Sequence, residues 1–170
     1  MARLKKKEFR GDGAINDVAV TPDGRYMVAG AGKELMFLDK YSGLRWKFKA
    51  DDVISKVSLS DDAGVIVAGI RNGEMFVLSK DGALVWTVNL MSAVEHIRTA
   101  RNGDFITIST ADTNIYFYHI SGNLLWKCGM GRNIVDLSPS VDCSKIYVAT
   151  MDGQVYLFNA YQGSIVWNVK

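Results

Sequence analysis

The stretch Ile146-Tyr147-Val148-Ala149-Thr150-Met151-Asp152-Gly153-Gln154-Val155-Tyr156-Leu157-Phe158-Asn159-Ala160-Tyr161-Gln162-Gly163-Ser164-Ile165-Val166-Trp167 decides the fold of this chain. It holds two short apolar runs, Ile146 to Ala149 and Val155 to Phe158, joined by a polar Asp-Gly turn. A second Gly turn then leads to a run that carries a tryptophan. Short β-branched and aromatic runs punctuated by Asp, Asn and Gly read as strands and tight turns. The same tryptophan recurs as Trp46, Trp86, Trp126 and Trp167, at spacings of 40, 40 and 41. Gly43, Gly82, Gly122 and Gly163 precede them by three or four residues.

Other positions repeat in step. First segments read Val18-Ala19-Val20-Thr21, Val57-Ser58-Leu59-Ser60, Ile97-Arg98-Thr99-Ala100 and Val135-Asp136-Leu137-Ser138. A turn follows each, and then a second strand such as Tyr26 to Ala29 or Val65 to Ala68. A polar loop leads to a third strand, and the Gly turn to a fourth. No apolar spacing of useful length has the helical period. Asp152-Gly153 and Asn72-Gly73 read as type I′ hairpin turns.

Four strands in about 40 residues, repeated, are the signature of a propeller blade. A lone four-stranded sheet with two apolar faces cannot bury them, and stacked blades bury both. The expected fold is therefore all-β: a β-propeller of four four-stranded antiparallel blades at 14–52, 53–92, 93–132 and 133–170. An N-terminal basic segment, 1–13, precedes them. Lys7-Glu8-Phe9-Arg10 aligns with Lys47-Phe48-Lys49-Ala50, which predicts a surplus outer strand there.

The 146–167 stretch resembles a PQQ-like (quinoprotein-type) propeller repeat. Asn159 stands at that repeat's usual Asp and Gln162 at its usual Thr, and Asp39-Lys40-Tyr41-Ser42-Gly43 matches in the same place. Val18 to Tyr26 also resembles a WD40-like repeat, without the Trp-Asp dipeptide and the Gly-His pair. The resemblance covers residues 14–170. It implies rings of seven or eight blades, so four blades predict half of a larger ring, completed by a second copy or by further sequence; the alternative is closure of the chain alone as a four-bladed ring with the basic N-terminus as a tail. An open arc would leave strand edges and blade faces bare, which favours association.

Composition narrows the function. The 170 residues suggest about one domain. Charge is balanced, with 20 Lys+Arg against 18 Asp+Glu, so no nucleic-acid partner is implied. The apolar runs are too short to span a membrane as a helix, and no signal-peptide pattern follows Lys5-Lys6-Lys7, which points to a cytoplasmic protein with no membrane partner. Cys128 and Cys143 form no CxxC, no zinc spacing and no disulfide framework. No catalytic residue, metal site or cofactor emerges. The PQQ resemblance brings no vicinal cysteine pair and no calcium-ligand constellation.

The binding candidates lie on the channel and one rim. Inner strands line a propeller's channel. Asp17, Lys56, His96 and Ile134 share one repeat position, and Ala19, Ser58, Arg98 and Asp136 another. Arg98 and Asp136 would then meet as an ion pair between adjacent blades. Asp52, Asn72, Met91, Asp112, Asn114, Arg132 and Met151 fall in loops on a shared rim. Trp46, Trp86, Trp126 and Trp167 take structural roles between blades. The expected function is a non-enzymatic scaffold for protein–protein interaction, self-associating as a two-copy eight-bladed ring. The alternative is a sensor propeller for a small ligand or carbohydrate.

Overall fold

Period-2 apolar runs and Gly-containing turns build four antiparallel sheets, each a meander of four consecutive strands. The computed structural model describes residues 8–41 and 43–170. Blade one holds β1 (Ile15–Val20), β2 (Tyr26–Ala31), β3 (Glu34–Asp39) and β4 (Gly43–Lys49). Blade two holds β5 (Ile54–Leu59), β6 (Val65–Ile70), β7 (Glu74–Ser79) and β8 (Leu84–Asn89). Blade three holds β9 (Val94–Thr99), β10 (Phe105–Thr110), β11 (Asn114–His119) and β12 (Leu124–Gly129). Blade four holds β13 (Ile134–Pro139), β14 (Lys145–Thr150), β15 (Val155–Asn159) and β16 (Ser164–Val169).

The core lies between blades, where one cluster brings Val28, Leu35 and Phe37 of blade one against Ile54, Val57 and Phe76 of blade two. Two further clusters repeat this at the next two junctions. The inner strands β1, β5, β9 and β13 stand side by side in that order, and no comparable packing joins β13 back to β1. The blades form an open arc. Its outer faces show the cost: Val18 is 56% exposed, while Val57, Ile97 and Leu137 at the same repeat position are buried. At the other end Tyr147 is 44% exposed, while Val28, Val67 and Thr107 are buried.

Ser/Thr-x-Asp turns tie down the β1–β2 type of hairpin. Thr21 Oγ1 donates to Asp23 at 2.6 Å while accepting from Tyr26 N. Ser60 with Asp62 and Ser140 with Asp142 do the same. The Ser140 hydroxyl, then the Ser144 amide and hydroxyl, hold the Asp142 carboxyl down to about 2.

Three expectations are corrected. Residues 8–13 form no strand, and residues 1–7 lie outside the described residues. Strand pairing needs alignment along an open edge, but this segment crosses a blade face instead. Phe9 lies over Gly43, and Asp12 Oδ1 accepts from Lys33 N at 2.8 Å. The Asn72-Gly73 and Asp152-Gly153 turns are not type I′, because only the Gly of each pair has positive φ. They are type I turns closed by a left-handed residue, with Gly73 N donating to the Ile70 carbonyl.

The third correction is one of register. Asp17 pairs with Gly30, Lys56 with Gly69, His96 with Ser109 and Asp136 with Ala149. Asp136, not Ile134, therefore shares the position of Asp17, Lys56 and His96. The two-residue error comes from reading Val135 and Leu137 as the alternating apolar pair of blade four, whereas the other blades carry Asn16, Ser55 and Glu95 at the position of Val135. A β-bulge at the same place in each inner strand sets the buried residues three apart, as in Ile134 and Leu137, so strict alternation misreads the strand.

Candidate functional site: the channel-facing strands and one rim

The corrected register lines up Asp17, Lys56, His96 and Asp136 at one level on four neighbouring inner strands. Arg98, two residues further along β9, reaches diagonally to Asp136, with Nη2 to Oδ1 at 2.7 Å. Both side chains are about half exposed, so this is a solvated pair. The Arg98 guanidinium also donates to the Ile97 carbonyl. Asp136 Oδ1 accepts from Leu137 N as well.

His96 sits among these charges. Its Nδ1 lies 2.7 Å from Ser109 Oγ. Burial pushes its imidazole below the ordinary value, Asp136 opposes this, and Lys56 and Arg98 add to the depression. Asp17 is committed to structure, because Oδ2 accepts from Val57 N in the next blade at 2.9 Å. Ser58 repeats the device by accepting from Thr99 N at 3.0 Å.

A cleft of about 390 Å³ opens between blades three and four, lined by Arg98, Thr99, Arg101, Ser138 and Ser140 among others. The Thr99 hydroxyl is buried there without a partner, alone in this respect among the described side chains. Sequence reading missed Thr99, because a Thr in a strand has no signal of its own.

On the rim, the polar candidates are bound into their loops. Asp52 Oδ1 accepts from Val53 N, and Asn72 Oδ1 from Glu74 N. Asp112 accepts from Thr110 and Asn114 side chains. The Thr110 hydroxyl leads in holding the Asp112 carboxyl below its ordinary value. Arg132 Nε pairs with Asp152 Oδ2 at 2.7 Å, joining two loops. Two apolar side chains stand out of this fixed frame: Met91 is 86% exposed and Met151 72%. Met91 has φ of 62°, held by its amide donating to Asn89 Oδ1 at 2.7 Å. Chemically, the rim offers two soft apolar contacts in a rigid polar surround.

The tryptophans form one repeated junction. Trp46 Nε1 donates to the Lys80 carbonyl, Trp86 Nε1 to Ile120 and Trp126 Nε1 to Ala160, at 2.8, 2.7 and 2.6 Å. Each ring also covers the Gly turn of the following blade at Gly82, Gly122 or Gly163. Among the described residues, Trp167 has no such blade to reach and is 42% exposed. No group of three or more His, Cys, Asp or Glu among the described residues is placed to hold a metal. Cys128 and Cys143 are free thiols.

Four meander sheets with inner strands in a row, joined by tryptophans, define a β-propeller repeat protein of the WD40-like and PQQ-like kind. A family model for the anaphase-promoting complex subunit 4 WD40 domain matches residues 99–170, and one for the WD domain, G-beta repeat, matches 4–37. The chain is 24% identical over 168 residues to the outer membrane protein assembly factor BamB of Yersinia pestis, covering 87% of this chain and 42% of that one. The crystal structure of BamB from Moraxella catarrhalis superposes with a TM-score of 0.78 at 23% identity, covering 95% of this chain and 49% of the other. The chain thus spans about half the length of these relatives or less.

Proposed function

We propose that the chain is a non-enzymatic propeller scaffold whose Met91/Met151 rim binds a protein partner. The observation that carries this is the exposure of both methionines on a rim whose polar side chains are tied into turns. A rigid frame loses little conformational entropy on binding, and flexible methionines adapt to apolar partner side chains. The similarity to a protein named as an assembly factor supports a protein partner. The test is capture from native extract by the wild-type chain and by the Met91→Glu/Met151→Glu double variant. A stoichiometric protein that binds the first and not the second supports the reading. Equal capture by both, or none by either, overturns it.

The scaffold reading also includes self-association of two copies into an eight-bladed ring. Bare apolar faces at both ends of the arc, Val18 and Val20 at one and Tyr147 and Trp167 at the other, support it. So does the roughly twofold length of the matching structure. Sedimentation equilibrium of the full chain checks it: a particle of twice 18.8 kDa is expected. We place the protein in the cytoplasm, in keeping with its two unpaired thiols.

A second reading, a sensor for a small anionic ligand, draws on the unpartnered Thr99 hydroxyl between Arg98 and Arg101. Thermal shifts across a panel of phosphorylated and carboxylated metabolites, absent in Arg101→Ala, would favour it.

A further inference from the structure

Blade one presents a slot that the other three blades show in use. In blades two, three and four, the Gly of the β7–β8 type of turn lies under the tryptophan of the preceding blade. A Cβ built on Gly82 would stand 3.0 Å from Trp46, on Gly122 3.5 Å from Trp86, and on Gly163 2.7 Å from Trp126. Gly43 is the blade-one member of this set, with φ of 85° like its counterparts Gly82 and Gly122. It too lies under an aromatic ring, since a Cβ there would stand 2.6 Å from Phe9 Cζ. Phe9 is no repeat tryptophan. It arrives from the segment before β1 and lines a cleft of about 320 Å³ with Val20, Met27, Leu38 and Gly43.

The opposite end of the arc holds the complementary half. Trp167 occupies the tryptophan position of blade four, touches Tyr147 edge-on, and finds no acceptor for its indole N–H among the described residues. Three internal junctions show what such a tryptophan does when a blade follows: it covers the Gly and donates to the carbonyl two or three residues before it. On blade one that carbonyl belongs to Lys40.

We propose that the Gly43 slot is the docking site for Trp167 of a second copy, and that Phe9 fills this slot in the unassociated chain as an internal stopper. The proposal rests on the two-copy ring and assigns its junction. A donor face at one end and an acceptor face at the other are different surfaces, so one contact is head-to-tail. Two such contacts related by a two-fold axis close a ring and leave no end exposed. Phe9 is suited to yield: it remains 40% exposed, brings no hydrogen-bond donor to the turn, and is smaller than the indole that would replace it. Because Phe9 must leave before the indole can enter, its seating scales the apparent affinity of the copies down to the fraction of chains in which the slot is vacant.

Sedimentation velocity over a concentration series tests this with the full chain and the variants Phe9→Ala, Trp167→Ala and Trp167→Phe, each first checked for a folded circular-dichroism spectrum. Phe9→Ala is expected to lower the dimer dissociation constant at least about fivefold. Trp167→Ala should abolish the dimer in both backgrounds, and Trp167→Phe should weaken it about tenfold by losing the N–H donor. If the wild type dimerises and Trp167→Ala dimerises equally, the ring stands and this junction is wrong. If Phe9→Ala leaves the constant unchanged or raises it, Phe9 is not a stopper. If neither wild type nor Phe9→Ala associates, the two-copy ring and this proposal fall together.

Discussion

The indole N–H of Trp86 in β8 donates to the Ile120 carbonyl just after β11, 2.7 Å away and one blade on. The bond converts a sequence period into a blade-to-blade distance. Its ring stacks obliquely on Tyr118, at 5.7 Å between centroids, so one residue supplies apolar burial and a directional contact together.

Trp86→Ala should therefore lower unfolding free energy by about 3–5 kcal/mol, through lost burial and the gap left at the junction. Trp86→Phe should lose about 1 kcal/mol for the hydrogen bond plus a smaller packing loss. Trp167→Ala, at the same repeat position without a following blade, should cost under about 1 kcal/mol in the monomer. Urea unfolding of the three variants measures the contrast, and equal losses at Trp86 and Trp167 would refute the junction assignment.

Arg98 and Asp136 pair at 2.7 Å but stay about half exposed. A double-mutant cycle with Arg98→Ala and Asp136→Ala should return a coupling of about 0.5 kcal/mol, shrinking in 1 M salt on the order of the screening expected there. Coupling below a few tenths at low salt would mean that the pair holds nothing together.

His96 sets a pH window. Burial depresses its imidazole below the ordinary 6.5, so the unfolded chain takes up a proton before the folded chain does. The stability contributed by the neutral, half-buried ring is complete above that value and is lost as pH falls through it toward the depressed folded value. Asp23, Asp62, Asp112 and Asp152 are depressed below 3.8 by Thr or Ser hydroxyls first, so their contribution is lost only at more acid pH. Unfolding free energy should fall as pH drops from 7 to about 5, and His96→Gln should flatten that segment while leaving the acid limb below pH 4.

Gly69 and Gly153 separate two reasons for a glycine. A Cβ on Gly69 would stand 2.6 Å from Val94 Cγ1 and 2.7 Å from Val94 Cβ, across the blade two–three junction. Gly69→Ala should cost about 1–3 kcal/mol by forcing the inner strands apart. Gly153 has open space around it but a φ of 81°. Gly153→Ala should cost about 1 kcal/mol from backbone strain alone, with no change in blade spacing. Thermal denaturation ranks the pair, and a reversed order would contradict the packing described for Gly69.

The sequence by itself determined the blade. The 40-residue return of Trp46, Trp86, Trp126 and Trp167, with a Gly before each, is set by one four-stranded unit, and local turn chemistry repeats wherever the unit does. Arg98 and Asp136 could also be proposed as partners, because charges on adjacent inner strands stand within reach of each other. Tertiary structure decided what depends on counting residues through irregular backbone. The bulge in each inner strand sets the buried residues three apart, as in Val94 and Ile97, a step that alternation of apolar residues does not show. It also decided which faces stay bare and where Phe9 rests, because both depend on what lies beside a blade rather than on the residues within it. A repeat specifies its own sheet through local pairing, and the occupant of its outer face is set by whichever surface competes most favourably for the same apolar area.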